Sequence, residues 1–202
     1  MKKIQILEKT FELVMKYGIK SVSLDDISRG IGISKKTIYQ YFENKKDLVG
    51  NVVKNFIEED EKVITSIVEN ADTAIEGIHK IAKHVLQMLR KMSPSMIFDT
   101  KKYFPEIWDS LEKGHFNFIR QTIAANILRG QEEGLYIKEI DHDIISRLYI
   151  SLTFALADEK LFPLTQYTRS DLFTNLINYH LRSLLTDRGR EIYKSHIIKN
   201  KT

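Results

Sequence analysis

Three residues suited to starting helices, Ser23, Ser34 and Asn44, follow one another at intervals of 10 to 11 positions near the beginning of this chain. Each can offer a side-chain oxygen to the free backbone N–H groups of a first helical turn. Ser23 and Asn44 are followed three residues later by Asp26 and Asp47, the position that completes a capping box. Gly18 and Gly32 stand where the preceding helices must stop, and glycine readily takes the left-handed conformation that ends a helix. So many starts in so short a span predict a compact bundle of short helices with a tight turn in its middle. Apolar spacing agrees. Ile4, Leu7, Phe11 and Val14 define one face of a helix over residues 2–17, Ile27 and Ile31 face inward from a second, and Ile38 and Phe42 from a third.

The remainder also reads as helical, with only three prolines and no run that alternates long enough to make a sheet. A fourth helix runs past Phe56, its acidic cluster Glu58–Glu61 facing water. Asp72 is expected to cap the next helix, through about Met92. A broken region with Pro94 and Pro105 follows. Then come a short helix around Trp108, a longer one from about His115 to Glu133, and a break at Gly134. Two amphipathic helices, about 141–157 and 169–186, flank Pro163, and residues from Asp187 read as a polar, frayed tail. The fold class is all-α: an N-terminal three-helix helix-turn-helix domain, residues 1–48, joined to a larger helical bundle, residues 49–202.

Charge is unevenly divided. Residues 1–50 hold 10 Lys and Arg against 6 Asp and Glu, and residues 51–202 hold 21 of each, so the whole net charge of +4 lies in the first quarter. That suits a polyanionic partner. Without cysteine the chain has no disulfide, thiolate nucleophile or zinc–cysteine site. Glu8, Lys9 and Glu12 interrupt the apolar run that an export signal would need after Met1-Lys2-Lys3-Ile4. The stretch Leu148–Ala157 is too short to span a bilayer. A cytoplasmic location is expected.

The third helix, Ser-Lys-Lys-Thr-Ile-Tyr-Gln-Tyr-Phe from Ser34 to Phe42, keeps Ile38 and Phe42 inside and leaves Lys35, Lys36, Tyr39 and Gln40 outside. Such a helix can enter a DNA major groove. Its N-terminus, at Ser34, suits a phosphate. Lys35 and Lys36 can pair with phosphates. Lys36, Thr37 and Gln40 can reach base edges, glutamine through two hydrogen bonds to adenine and threonine through the thymine methyl. Tyr39 and Tyr41 bring hydroxyls to phosphate oxygens. Lys45 and Ser23 are expected to hold neighbouring phosphates. An ordinary amphipathic helix with solvated lysines is the alternative for such a pattern alone. The preceding helix, the Gly32 turn and the apolar spacing favour groove binding.

Residues 4–50 resemble the N-terminal domain of the TetR/AcrR family of bacterial transcriptional regulators. The resemblance is carried by Gly18, Ser23, Asp26, Ile27, Gly32, Ser34, Lys35, Thr37, Ile38, Tyr39, Tyr41, Phe42, Lys45 and Leu48. Lys36 stands where that family frequently has glycine, and Gly30 weakens the second helix by roughly 1 kcal/mol relative to alanine. The rest of the chain resembles the family only in layout. The resemblance implies a homodimer that binds a palindromic operator in double-stranded DNA and is released by a small-molecule effector, with repression favoured over activation. It also implies that the last two long helices form the dimer seam. The apolar stripes Ile145, Leu148 and Leu152, and Leu172, Leu176, His180 and Leu184, fit such a seam, although stripes of this kind also fill the core of a single chain.

Six aromatic residues crowd into residues 98–118, and Met88, Met92 and Met96 lead into them. Helical bundles bind small molecules in apolar clefts, and methionine adapts to its contents. A pocket for a hydrophobic or aromatic effector is therefore expected from Met88, Met92, Phe98, Tyr103, Trp108, His115 and Phe116, against the alternative of an aromatic-rich core. The histidine spacing makes no metal site, and no catalytic constellation or cofactor motif is present, so neither an enzyme nor a cofactor is expected. The rival function is an effector-independent architectural or division-control protein with the same DNA-binding domain.

Overall fold

The structure is a computed structural model that describes residues 2–93 and 95–199, the side chains of residues 196–199 excepted. Pro94, part of the expected break, lies outside the described residues. Eleven helices are described: α1 Lys2–Tyr17, α2 Leu24–Ile31, α3 Lys35–Tyr39, α4 Lys45–Glu69, α5 Ala74–Lys91, α6 Met96–Tyr103, α7 Pro105–Lys113, α8 His115–Glu132, α9 His142–Ala155, α10 Arg169–Leu184 and α11 Asp187–Lys199. Among the described residues they pack as two units, residues 2–61 with 91–113, and residues 62–90 with 114–199. By packing, the first unit is therefore larger than the 1–48 segment expected to read DNA.

The first unit closes around Ile6, Val14, Ile19, Val22, Ile27, Ile38, Phe42, Leu48, Val49 and Val52. Each of these large apolar side chains, once fully buried, contributes about 1.5–3 kcal/mol. Phe104 joins the same core. Around it, the N–H of Ser93 donates to the carbonyl of Met15 at 2.5 Å, and Lys46 pairs with Glu106 at 2.6 Å. The sequence reads as broken over residues 94–105; residues 96–103 instead form α6, which sits against the turn after α1.

The second unit buries Ile75, Ile78, Ile123, Ile127, Leu135, Tyr136, Tyr149, Phe173, Ile177 and Leu181. Polar groups of α8 bind the chain just before and at the start of α5. Arg129 donates to the carbonyls of Val68 and Ala71 at 3.3 and 2.7 Å, Glu133 accepts from the Ala74 N–H at 2.8 Å, and Asn126 donates to the Ala74 carbonyl at 2.8 Å. The α5 cap is Thr73, whose hydroxyl accepts from the Glu76 N–H at 3.2 Å, and not Asp72, whose own N–H is held by the Glu76 carboxylate. The expected frayed tail is instead helix α11. Tyr193 and Ile192 pack it onto the core, and the Tyr193 hydroxyl donates to Asn178 at 2.8 Å.

Candidate DNA-reading site

The turn between α2 and α3 is built by local chemistry. The Ser23 hydroxyl accepts from the Asp26 N–H, and the Asp26 carboxylate accepts from the Ser23 N–H at 2.9 Å. Gly32, at φ 78°, ends α2 in the left-handed region, with its N–H on the Ser28 carbonyl. Only two residues later Ser34 accepts from the Thr37 N–H at 3.1 Å and starts α3. Ile38 is buried and pins α3 to the core. The helical turn continues to Phe42, whose N–H donates to the Ile38 carbonyl at 3.1 Å.

This anchoring decides which side chains face outward. Lys36 and Gln40 are exposed, and Tyr39 and Tyr41 are 54% and 41% exposed. Thr37 is half-buried, with its hydroxyl 3.0 Å from that of Ser34. Lys35 pairs with Asp25 at 3.1 Å, with both partners exposed. Exposed pairs of this kind are worth well under about 1 kcal/mol, so a phosphate can take the lysine from it.

Two of the expected phosphate contacts have other duties. The Ser23 hydroxyl donates to Asp26 at 2.6 Å, which commits its proton to the capping box. That hydrogen bond is the first cause holding the Asp26 carboxyl below its usual range, with the Ser23 N–H and Arg29 adding to it. A charged carboxylate beside Ser23 also repels phosphate. Lys45 directs its ammonium at the carbonyls of Ile19 and Lys20, at 2.7 and 3.4 Å. Partial burial pushes its pKa down. Lys45 thus ties the start of α4 to the turn after α1.

The expected seam residues separate into two groups. On α9, Leu148 and Leu152 are 52% and 41% exposed, and Ile144, one turn earlier, is 55% exposed. Ile145 is half-buried and packs onto the core. On α10, Leu172, Leu176, His180 and Leu184 are all buried within this chain. Their surface is already covered, which leaves them little to offer a second copy. The exposed side of α10 instead carries Tyr179, 68% exposed.

The seven expected pocket residues fall in different surroundings. Phe98 and Tyr103 are exposed in the first unit, and Trp108 is buried there with its indole N–H donating to Glu112 at 2.7 Å. Met92 is half-buried in that unit, and Met88 in the second. His115 stacks with Phe118 at 6.4 Å between ring centres, and Phe116 meets Phe154 edge-on at 4.6 Å. None of the seven borders the first-unit clefts edged by Asn51 and Lys54, by Leu13 and Arg29, or by Leu7 and Phe56.

A short helix held behind a left-handed glycine turn, with lysine, glutamine and tyrosine outward, is the helix-turn-helix of a DNA-binding transcriptional regulator. Residues 6–52 match the sequence model of the family described as bacterial regulatory proteins, tetR family. Residues 6–52 thus form a DNA-binding segment of the TetR-family type. It is 25% identical over 187 residues to the HTH-type transcriptional regulator YvaF of Bacillus subtilis (strain 168), covering 91% of this chain and 95% of that protein. It is 23% identical over 200 residues to the regulator PksA of the same organism, covering 95% and 94%. Among solved structures, a TetR-family regulator from Agrobacterium tumefaciens shares the fold with a TM-score of 0.74 at 18% identity, over 92% of this chain and 98% of that one. Both relatives are described as HTH-type transcriptional regulators. Among the described residues no helix is long and apolar enough to cross a membrane.

Proposed function

We propose that this protein is a ligand-responsive, dimeric repressor that binds a palindromic operator and releases it when a small hydrophobic or aromatic effector binds. The observation that carries the DNA half is the exposed row Lys36, Tyr39 and Gln40 on a helix whose other face is pinned by Ile38. Lysine supplies phosphate contact, and glutamine supplies base readout. Two copies of α3 must then lie about one DNA turn apart, roughly 34 Å, or a multiple of it. An effector acts by binding more tightly to the form whose α3 spacing does not fit.

The exposed row Ile144, Leu148 and Leu152 supports dimerisation through α9. Three large apolar side chains on consecutive turns are costly to leave in water and suit a twofold contact. Residues 49–202 would hold both the effector and this seam. Gel retardation by genomic fragments at low ionic strength, followed by release with compounds chosen by thermal shift, tests the reading. Retarded fragments that no stabilising compound releases would favour the effector-independent rival.

A further inference from the structure

Two lysines from distant parts of the chain meet at one phenol. Lys20, in the turn after α1, donates to the Tyr103 hydroxyl at 3.2 Å, and its ammonium lies 4.9 Å from the ring centre. Lys102 of α6 lies 5.4 Å from the same ring and 5.2 Å from the ring of Phe98. Phe98 and Tyr103 are 49% and 39% exposed, so the cluster faces water.

Other lysines of this unit have acidic partners: Lys9 with Glu12, Lys35 with Asp25, and Lys46 with Glu106. Among the described residues Lys20 and Lys102 have no carboxylate within ion-pair distance. Asp99 acts on Lys20 through space, but it is buried and accepts from Ser95. Two ammoniums are thus gathered on an exposed face without a neutralising acid, an arrangement that favours an anion from outside. The ring faces hold the ammoniums in place. The Lys20 hydrogen bond, assisted by Lys102, draws the Tyr103 phenol below its usual pKa.

The cluster borders the DNA-reading elements. Lys45, the first residue of α4, donates to the carbonyl of Lys20, and only a short turn separates α4 from α3. Phe104, the next residue after Tyr103, is buried in the core that also holds Ile38. We infer that Lys20, Lys102 and Tyr103 form a second contact for the DNA sugar–phosphate backbone, beside the groove that α3 enters. This inference rests on the DNA-reading role of α3. The chemistry fits phosphate without reading bases: two ammoniums and one hydroxyl, with no amide to address a base edge. It also gives α6 a direct hold on DNA.

The test is fluorescence anisotropy with a duplex selected by the wild-type protein, titrated over a range of NaCl concentrations. The variants are Lys20→Gln/Lys102→Gln, and Lys102→Gln alone, whose side chain is exposed and should leave folding intact. For each phosphate that a variant no longer neutralises, the slope of log affinity against log salt should become shallower by about 0.9 per subunit. Preference across a panel of mutated duplexes should stay the same. An unchanged slope for folded variants, with normal wild-type binding, overturns this second contact and leaves α3 as the reader. A loss of base preference in Lys102→Gln overturns it too. Absence of wild-type binding removes the α3 reading and this inference together.

Discussion

The ammonium of Lys45 lies 2.7 Å from the carbonyl oxygen of Ile19, across 26 positions of sequence. The turn after α1 and the start of α4 are therefore fastened by one side chain. Lys45→Ala leaves that carbonyl without its donor, a loss of about 1–3 kcal/mol. Thermal unfolding should show the destabilisation with no DNA present. A variant that unfolds like wild type and loses only DNA affinity would return Lys45 to a purely phosphate-binding role.

Lys36 and Gln40 share the exposed face of α3 but should fail differently. Lys36→Ala should weaken binding to all duplexes and flatten the salt dependence by about 0.9 log units for a phosphate contact. Gln40→Ala should cost about 1–3 kcal/mol at one base pair and relax the choice there. Binding isotherms over a panel of single-base changes separate the two outcomes.

His180 is buried against Tyr149, with ring centres 4.9 Å apart, and its Nε2 has no hydrogen-bond partner. Burial pushes its pKa from 6.5 down to about 4. The unfolded chain then binds more protons than the folded one between those values, so stability falls as pH drops from about 6.5 to 4. The full effect is about 3 kcal/mol. Urea unfolding of wild type and His180→Leu across this range should show a steeper fall in wild type than in the variant.

Gly130 faces the Tyr136 ring so closely that an added methyl would overlap it. Alanine favours a helix over glycine by about 1 kcal/mol, but forced overpacking costs about 1–3 kcal/mol. Here the ring is buried and its hydroxyl donates to Asn126 at 3.2 Å, so it has little room to give. Gly130→Ala should lower the Tm, by about 2–4 °C for each kcal/mol of destabilisation. A Tm at or above wild type would show that the ring moves freely.

Leu148→Lys places a charge in the exposed α9 row, where the side chain lies outside the core of its own chain. Sedimentation should show a folded monomer in place of a dimer. Leu176→Ala, by contrast, empties buried space and should cost about 2–5 kcal/mol of stability.

The sequence made the local devices legible. The caps at Ser23 and Ser34 and the left-handed turn at Gly32 each depend on atoms within five residues, and the structure has them in the expected places. Long-range duties were not legible. Lys45 and Ile19 meet only after α4 docks, and Lys20 and Tyr103 are 83 positions apart. Helix α6 escaped because its start at Ser95 has no side-chain cap hydrogen bond and nothing local reveals that Phe104 enters the first core. Helix α11 escaped because it is polar, with Tyr193 packed against residues far earlier in the chain. The α10 stripe was ambiguous for a related reason. Leucine spacing specifies a buried face, but not whether the same chain or a second copy covers it. The outward row of α3 was readable because Ile38 fixes it, whereas the expected pocket depended on how distant helices pack.

We propose that α3 reads DNA in the major groove, with Gln40 choosing among bases. The most direct measurement is selection of bound fragments from random DNA, run in parallel with wild type and Gln40→Ala. Wild type should select a palindrome with half-sites about 34 Å apart or a multiple of that, and the variant should show a relaxed preference at one position of each half-site. Fragments with no shared sequence from wild type, or the same palindrome with undiminished preference from both proteins, would contradict it.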